Sequence, residues 1–153
     1  MTSEDHTEFW GRVREQVPGL PAAPPPAWAF SATAEHAEEL LALVLAGTKT
    51  GTAASLWDHE DDGEPVPQVG DLSIVLDGRG RPRAVLETTA VRILPFDQVG
   101  AEHAHAEGEG DRTLEDWRRG HEAFWGEFGA RGFAPDMPVV CERFRLIHPA
   151  PPA

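Results

Sequence analysis

Lysine occurs once in the 153-residue chain, as Lys49 within GTKTGT at 47–52, and every other basic residue of the 13 is an arginine. A lysine shielded from water can give up its proton and act as a base, whereas arginine stays protonated in proteins. Three residues on stands Thr52, whose hydroxyl is a poor nucleophile unless a base lies within hydrogen-bond reach. On a regular strand, residues three apart point to opposite faces. Lys49 and Thr52 therefore converge only if the backbone turns between them, and Gly51 permits such a turn. A second reading stands beside this one: a lysine just past a helix end also complements the helix dipole and bonds the last carbonyls. A third chemical group, Glu109, sits between Gly108 and Gly110. Its free backbone could present the carboxylate into a cleft, where it would orient the lysine or shuttle a proton to a leaving amine. The same residue also reads as one more acid in a solvated loop.

Other residues offer less. His103, His105, Glu107 and Glu109 alternate, as a divalent-metal site on an extended segment would require. But 97–106 has a helical pattern and no further ligand group is evident, so no metal and no cofactor are expected. Trp28, Phe30 and Trp57 could each stack on a nucleobase, or pack in a core. His121 could border a cleft or pack. Arg79, Arg81 and Arg83 cluster in a turn as a candidate phosphate contact, and Cys141 reads as a small buried hydrophobe.

Several elements must position these groups. A short helix over 3–17, capped by Ser3, precedes a connector with five prolines between 18 and 26, which disfavours helix. The clearest helix is 33–46, where Ala37, Leu40, Leu41, Val44 and Leu45 form one apolar stripe, Thr33 can cap the start and Gly47 can end it in a left-handed conformation. A short strand over 52–57, closed by Trp57, precedes an acidic loop at 58–70. A hairpin follows, with strands near 71–76 and 82–94 around a DGRG turn. A helix over 113–129, capped by Thr113, puts Leu114, Trp117, Phe124, Trp125 and Phe128 on one stripe expected to be core. A half-buried strand closes the chain at 137–148. Scattered short strands with inserted helices point to an α+β fold, a small mixed β-barrel flanked by helices.

The totals bound the partners. An apolar share of 41 % is that of a globular chain. No apolar run approaches the ~20 residues that span a bilayer, and the N-terminus lacks a secretory pattern, so a cytoplasmic location without membrane contact is expected. A formal charge of −13 repels polyanions. Duplex DNA is thereby disfavoured, and a small or weakly charged ligand fits better.

The residues Leu45-Ala-Gly47-Thr-Lys49-Thr50, Val69-Gly-Asp71, Glu87-Thr-Thr89 and Glu107-Gly-Glu109-Gly-Asp111-Arg-Thr-Leu-Glu-Asp-Trp117, in this order, resemble the ASCH-domain family. The likeness covers about 28–148, leaving 1–27 as helix and connector and 149–153 as a tail. The resemblance implies a PUA-like β-barrel that meets RNA or nucleosides beside the G-x-K loop. One subgroup it resembles hydrolyses the acetyl amide of N4-acetylcytidine. That likeness implies a catalytic set of Lys49, Thr52 and Glu109, with Glu107 as the other possible carboxylate. Trp28, Phe30, Thr50, Trp57, Glu107 and Arg112 are the implied substrate contacts. Other members look like ribonucleases acting on single-stranded RNA, and a non-catalytic single-stranded RNA-binding module stays open as well. The family pattern G-x-K-x-x-E-x-R has Thr52 and Ala54 here at its Glu and Arg. That loss weakens a phosphate grip and leaves the Lys–Thr pair intact. The partner expected is a nucleoside or short single-stranded RNA, met by a monomer or weak dimer.

Overall fold

A computed structural model describes residues 3–30 and 33–150, with the side chains of 3–5 outside the described part, so the expected Ser3 cap and the end of the 149–153 tail lie beyond it. Five helices are described: α1 (Ser3–Gln16), α2 (Ala34–Leu45), α3 (Leu56–Asp62), α4 (Ala101–Glu107) and α5 (Leu114–Phe128). The strands are β1 (Ala27–Trp28), β2 (Gly51–Ser55), β3 (Leu72–Leu76), β4 (Pro82–Pro95) and β5 (Pro138–His148). They form one five-stranded sheet in the order β1-β3-β4-β5-β2. The fold is α+β as expected. The sheet does not close, however, because β1 and β2 stand at its two ends, so the expected barrel is only loosely realised. No described helix is long and apolar enough to cross a membrane.

The chain divides into two compact units, and β4 and β5 contribute residues to both. The first holds α1, α2, β1, β3 and the 82–87 and 145–148 parts of β4 and β5. Its core joins Phe9, Trp10 and Val13 of α1 to Ile74 and Val85. The N-terminal helix is thus part of a core, and Trp10 Nε1 donates to Pro21 O at 2.9 Å. Burying a side chain of this kind is worth about 1.5–3 kcal/mol. α2 follows its sequence: Ala37, Leu40, Leu41 and Val44 are buried, Thr33 Oγ1 accepts from His36 N, and Gly47 is left-handed with φ 81°. The proline connector ends in a two-residue strand, β1, running parallel to β3.

The hairpin of β3 and β4 is tied by Asp77. Its carboxylate, 1 % exposed, accepts from the backbone N–H groups of Arg79 (2.8 Å) and Arg81 (3.0 Å) and from Arg81 Nε (3.0 Å). Arg83 Nη1 lies 3.4 Å away. Two of the three arginines proposed as a phosphate contact are therefore engaged in holding the turn. Burial pushes the Asp77 carboxyl up, but these donors outweigh it and hold it below the usual carboxylate range.

The second unit holds β2, α3, α4, α5 and the remaining parts of β4 and β5. Its core is Phe96, Val99, Ala104, Trp117, Trp125, Met137, Val139 and Cys141. β2 pairs antiparallel with β5, Thr52 opposite Glu142 and Ala53 opposite Cys141. Two expectations fail here. Trp57 does not close a strand but lies in the first turn of α3, which takes the front of the expected acidic loop and ends at left-handed Gly63. Phe124 and Phe128 are 37 % and 53 % exposed and pair with each other, so the core stripe of α5 narrows to Trp117 and Trp125, with half-buried Leu114 packed against it. A periodic pattern locates a stripe and leaves its buried width to the neighbouring elements.

Replacing Asp77 by Ala removes the buried acceptor that the turn's N–H groups and the Arg81 guanidinium share, and should destabilise the protein by about 1–3 kcal/mol. Because the folded-state pKa is depressed, the contribution is present above the unfolded carboxylate range and is lost as pH falls through the folded value. Thermal melts of wild type and Asp77→Ala should therefore converge in acid.

Candidate functional site

The acids and bases singled out from the sequence meet in the second unit, where α4 ends. Glu107 is the last residue of α4, not part of a loop, and Gly108 closes the helix left-handed at φ 71°. A Cβ on Gly108 would stand 2.6 Å from Thr48 O and 3.1 Å from Lys49 Cα, so only glycine lets the lysine segment lie against the helix end. Thr50 fastens the same segment: its N–H donates to Ala106 O at 2.7 Å, and its O accepts from Phe144 N at 3.0 Å. Arg112, itself left-handed at φ 66°, donates from Nε to His105 O at 3.0 Å and from Nη2 to Thr48 O at 3.3 Å. Proposed as a substrate contact, it is found bracing the backbone beside Lys49.

Lys49 is 1 % exposed. Its Nζ lies 2.8 Å from Glu109 Oε2, 3.4 Å from Glu107 O and 4.0 Å from Glu107 Oε1. The two carboxylates differ. The Glu109 side chain is 31 % exposed, while that of Glu107 is 2 % exposed. Glu107 is surrounded by donors: Trp117 Nε1 at 2.6 Å and His103 Nε2 at 2.7 Å on Oε2, and His121 Nε2 at 3.3 Å on Oε1. The His103 contact is short but lies off the ring N–H direction. Burial pushes the Glu107 carboxyl up, yet the bonds from His103 and His121 and the charges of His121 and Lys49 reverse this, holding it far below the usual carboxylate range. His121 shows the mirror image. Burial lowers its pKa, and the bond and charge of Glu107, the Trp117 carbonyl and the charge of Glu109 raise it above the ordinary value.

Thr52 stands apart from this network. It lies within β2, half-buried, and its hydroxyl makes no hydrogen bond among the described residues. Gly51 is not left-handed: it opens the strand, and a Cβ there would meet Glu142 O at 3.0 Å and Arg143 Cδ at 3.2 Å. The glycine serves close approach, not the expected turn. Ala53 and Cys141 face the core that includes Ala104 of α4, so strand alternation places Thr52 and Glu142 on the other face. There Glu142 Oε2 accepts from the buried Thr88 Oγ1 at 2.6 Å.

Of the aromatic candidates, Trp57 packs on the second unit's core with the Arg131 guanidinium 5.8 Å from its ring centre. In the first unit, Trp28 and Phe30 stack edge to face at 4.8 Å, and Phe30 is buried. The alternating metal pattern is not realised. His103 and Glu107 share one helical face, His105 is exposed, and no metal-holding cluster of acids, histidines and cysteines occurs among the described residues. Burial pushes the Cys141 thiol up to about 12, as suits an inert core residue. Sequence reasoning missed the acceptor role of Glu107 and the pairing of His121. The available signal was His103 four residues before Glu107, and His121 four after Trp117.

Glu107→Ala would strip the counter-charge from buried groups and should cost about 3–5 kcal/mol in a denaturant titration. The pH dependence has two limbs. Glu107 is depressed, so its contribution survives until strongly acid pH, whereas His121 is raised, so its share is full below the unfolded histidine value and fades as pH rises through the folded one. Stability should fall on the alkaline side, and Glu107→Ala should flatten that fall.

The ASCH domain family model matches residues 26–148. A crystal structure of an ASCH domain from Lactobacillus crispatus JV V101 superposes with a TM-score of 0.85 at 27 % identity, covering 95 % of this chain and 96 % of that one. A protein from Enterococcus faecalis V583 gives the same TM-score at 32 % identity, with 96 % and 92 % covered. A third structure, of a hypothetical protein at 16 % identity and TM-score 0.55, shares the fold alone. No curated protein matches significantly in sequence. With the fold, the G-T-K-T segment against the end of α4 and the matching family model in place, the chain belongs to the ASCH domain family, whose PUA-like fold is often RNA-binding.

Proposed function

We propose that this ASCH domain hydrolyses an amide on a modified pyrimidine nucleoside, of the N4-acetylcytidine type, with Lys49 and Glu109 as the proton-handling pair and Thr52 as nucleophile. The observation that carries the reading is the burial of the single lysine. An amine gripping an RNA backbone belongs at the surface, where it displaces counterions from phosphates. This amine is 1 % exposed and is held 2.8 Å from a carboxylate that itself reaches solvent. A net charge of −13 also favours a nucleoside or a short single strand over a longer polyanion.

In this reading the Thr52 Oγ–acyl carbon bond forms as the carbon–nitrogen bond to the base breaks. The hydroxyl proton enters the Lys49–Glu109 pair and leaves on the departing amine, and water then releases the acyl group from Thr52. The Thr52 hydroxyl has no base within hydrogen-bond reach among the described residues, so this step requires the partly exposed Glu109 carboxylate to meet it across the bound ligand. Thr50 and Glu107 act on the protein side, fixing the lysine segment and its charge.

The test is incubation of the purified protein with N4-acetylcytidine and, separately, with single-stranded RNA, each with and without chelator. Release of cytidine and acetate that persists in chelator supports the proposal. Lys49→Arg and Glu109→Gln should each lower turnover by at least about a hundredfold, the range general acid–base groups supply. Full turnover in Thr52→Val would remove the nucleophile assignment. Strand cleavage without deacetylation would make the protein a ribonuclease, and salt-sensitive binding without either reaction would make it a binding module.

A further inference from the structure

Glu107 meets two histidines, and their other ring nitrogens face chemically different atoms. His121 Nδ1 lies 2.8 Å from Trp117 O, and its Nε2 lies 3.3 Å from Glu107 Oε1. A carbonyl and a carboxylate can only accept, so the Nδ1 proton goes to the carbonyl, and a second proton on Nε2 would place positive charge 3.3 Å from the carboxylate. The ring also stacks on the Trp117 indole, with centroids 4.2 Å apart and an interplanar angle of 23°, and lies 5.1 Å from the Trp125 ring. Aromatic faces favour a cation over a neutral ring. His103 is the opposite case. Its Nδ1 accepts from Arg143 Nε at 3.4 Å, which leaves the proton on Nε2, toward Glu107.

We propose that His121 is a positioning residue: a standing imidazolium that occupies the Glu107 carboxylate and thereby leaves the Lys49 ammonium to Glu109. The charged and titratable groups around it are Glu107 and His103 of α4, Glu109 of the following loop and Lys49. Counted with His121 charged, Lys49 and His121 balance Glu107 and Glu109. Counted with His121 neutral, the cluster carries one uncompensated negative charge where only Glu109 has appreciable exposure. Glu107 Oε1, 4.0 Å from Nζ and 3.3 Å from His121, would then have Lys49 as its remaining cation. The amine would be drawn inward, away from the one carboxylate able to meet a ligand. Its effect on turnover rests on the hydrolase reading, but the charge state and the lysine's pairing do not.

The single lysine makes the experiment direct, because lysine labelled at Nζ gives one resonance. In histidine-labelled wild type, two-bond nitrogen–proton spectra across neutral and mildly alkaline pH should show His121 still doubly protonated above the ordinary histidine range of about 6.5. His103 should appear as the Nε2–H tautomer. In His121→Gln, which keeps a neutral donor, the Lys49 resonance should shift and its contact with the Glu109 carboxylate should be lost. Where the hydrolase activity exists, kcat should fall with KM little changed. His121 losing its second proton within the ordinary histidine range overturns the proposal, and so does an unmoved Lys49 resonance in His121→Gln. Should that variant not fold, the wild-type histidine spectra decide alone. Absence of turnover in every form would remove the hydrolase reading and leave these spectral results standing.

Discussion

The structure of the site depends on one constraint: a carboxylate taken out of water must be surrounded by donors. Unpaired, a buried charge costs several kcal/mol. Glu107 meets the demand with groups from separate parts of the chain. His103 comes from one turn earlier on α4, Trp117 and His121 come from successive turns of α5, and Lys49 comes from the segment leading into β2. The two helices and the lysine segment are therefore referred to a common point, and the glycine after Glu107 allows the third party to come close. Apolar packing of Ala104 of α4 in one core with Trp117 and Trp125 of α5 and Phe96 holds the helices together. The carboxylate selects their register.

From that division follows the difference between the two glutamates. Glu107 has its oxygens engaged by the interior and serves structure. Glu109, two residues on, shares the lysine but keeps nearly a third of its side chain exposed. Gly110, left-handed at φ 59°, leaves no room for a side chain beside Asp116, and Asp111 bonds both N–H and Oγ1 of Thr113, the cap of α5. The Glu109 loop is thus short, braced at both ends and fixed relative to α5. A preset carboxylate–ammonium pair of this kind handles protons without first being ordered.

Much of this was legible in the sequence, and what was not has physical causes. The stripe of α2, with its Thr33 cap and Gly47 stop, is local information and appears as written. So does the hairpin around Asp77. The singular Lys49 pointed to the site because its type was unusual, and Glu109 because glycines flank it. Glu107 looked like a loop acid, since the glycines that follow it hide a helix end, and no local pattern shows which donors will arrive from α5. His121 read as bordering a cleft or packing, and its pairing with Glu107 was hidden for the same reason. Phe124 and Phe128 continue the stripe by period but are covered by no element among the described residues. Gly51 shows the limit most plainly. Glycine tolerates both turns and close contacts, and here it serves the contact with Arg143 and Ala106.

That use of Gly51 bears on how the chemistry could be arranged. With the strand regular from residue 51, the side of β2 facing α4 belongs to the lysine cluster, and the side carrying Thr52 belongs to Glu142 and Thr88. Lys49 is confined by its burial and its partners, so it cannot swing round the strand to meet the hydroxyl without breaking the ion pair that holds it. Glu109 is not confined in this way. It is the most exposed of the four charged groups, and its carboxylate is already bonded to the amine on one side. A ligand lying over the start of β2, where exposed Thr50 precedes Thr52, would meet the hydroxyl on one edge and this carboxylate on the other. Under the proposed hydrolysis the buried lysine would be the fixed charge behind a working acid, a role that depends on its being inside the protein.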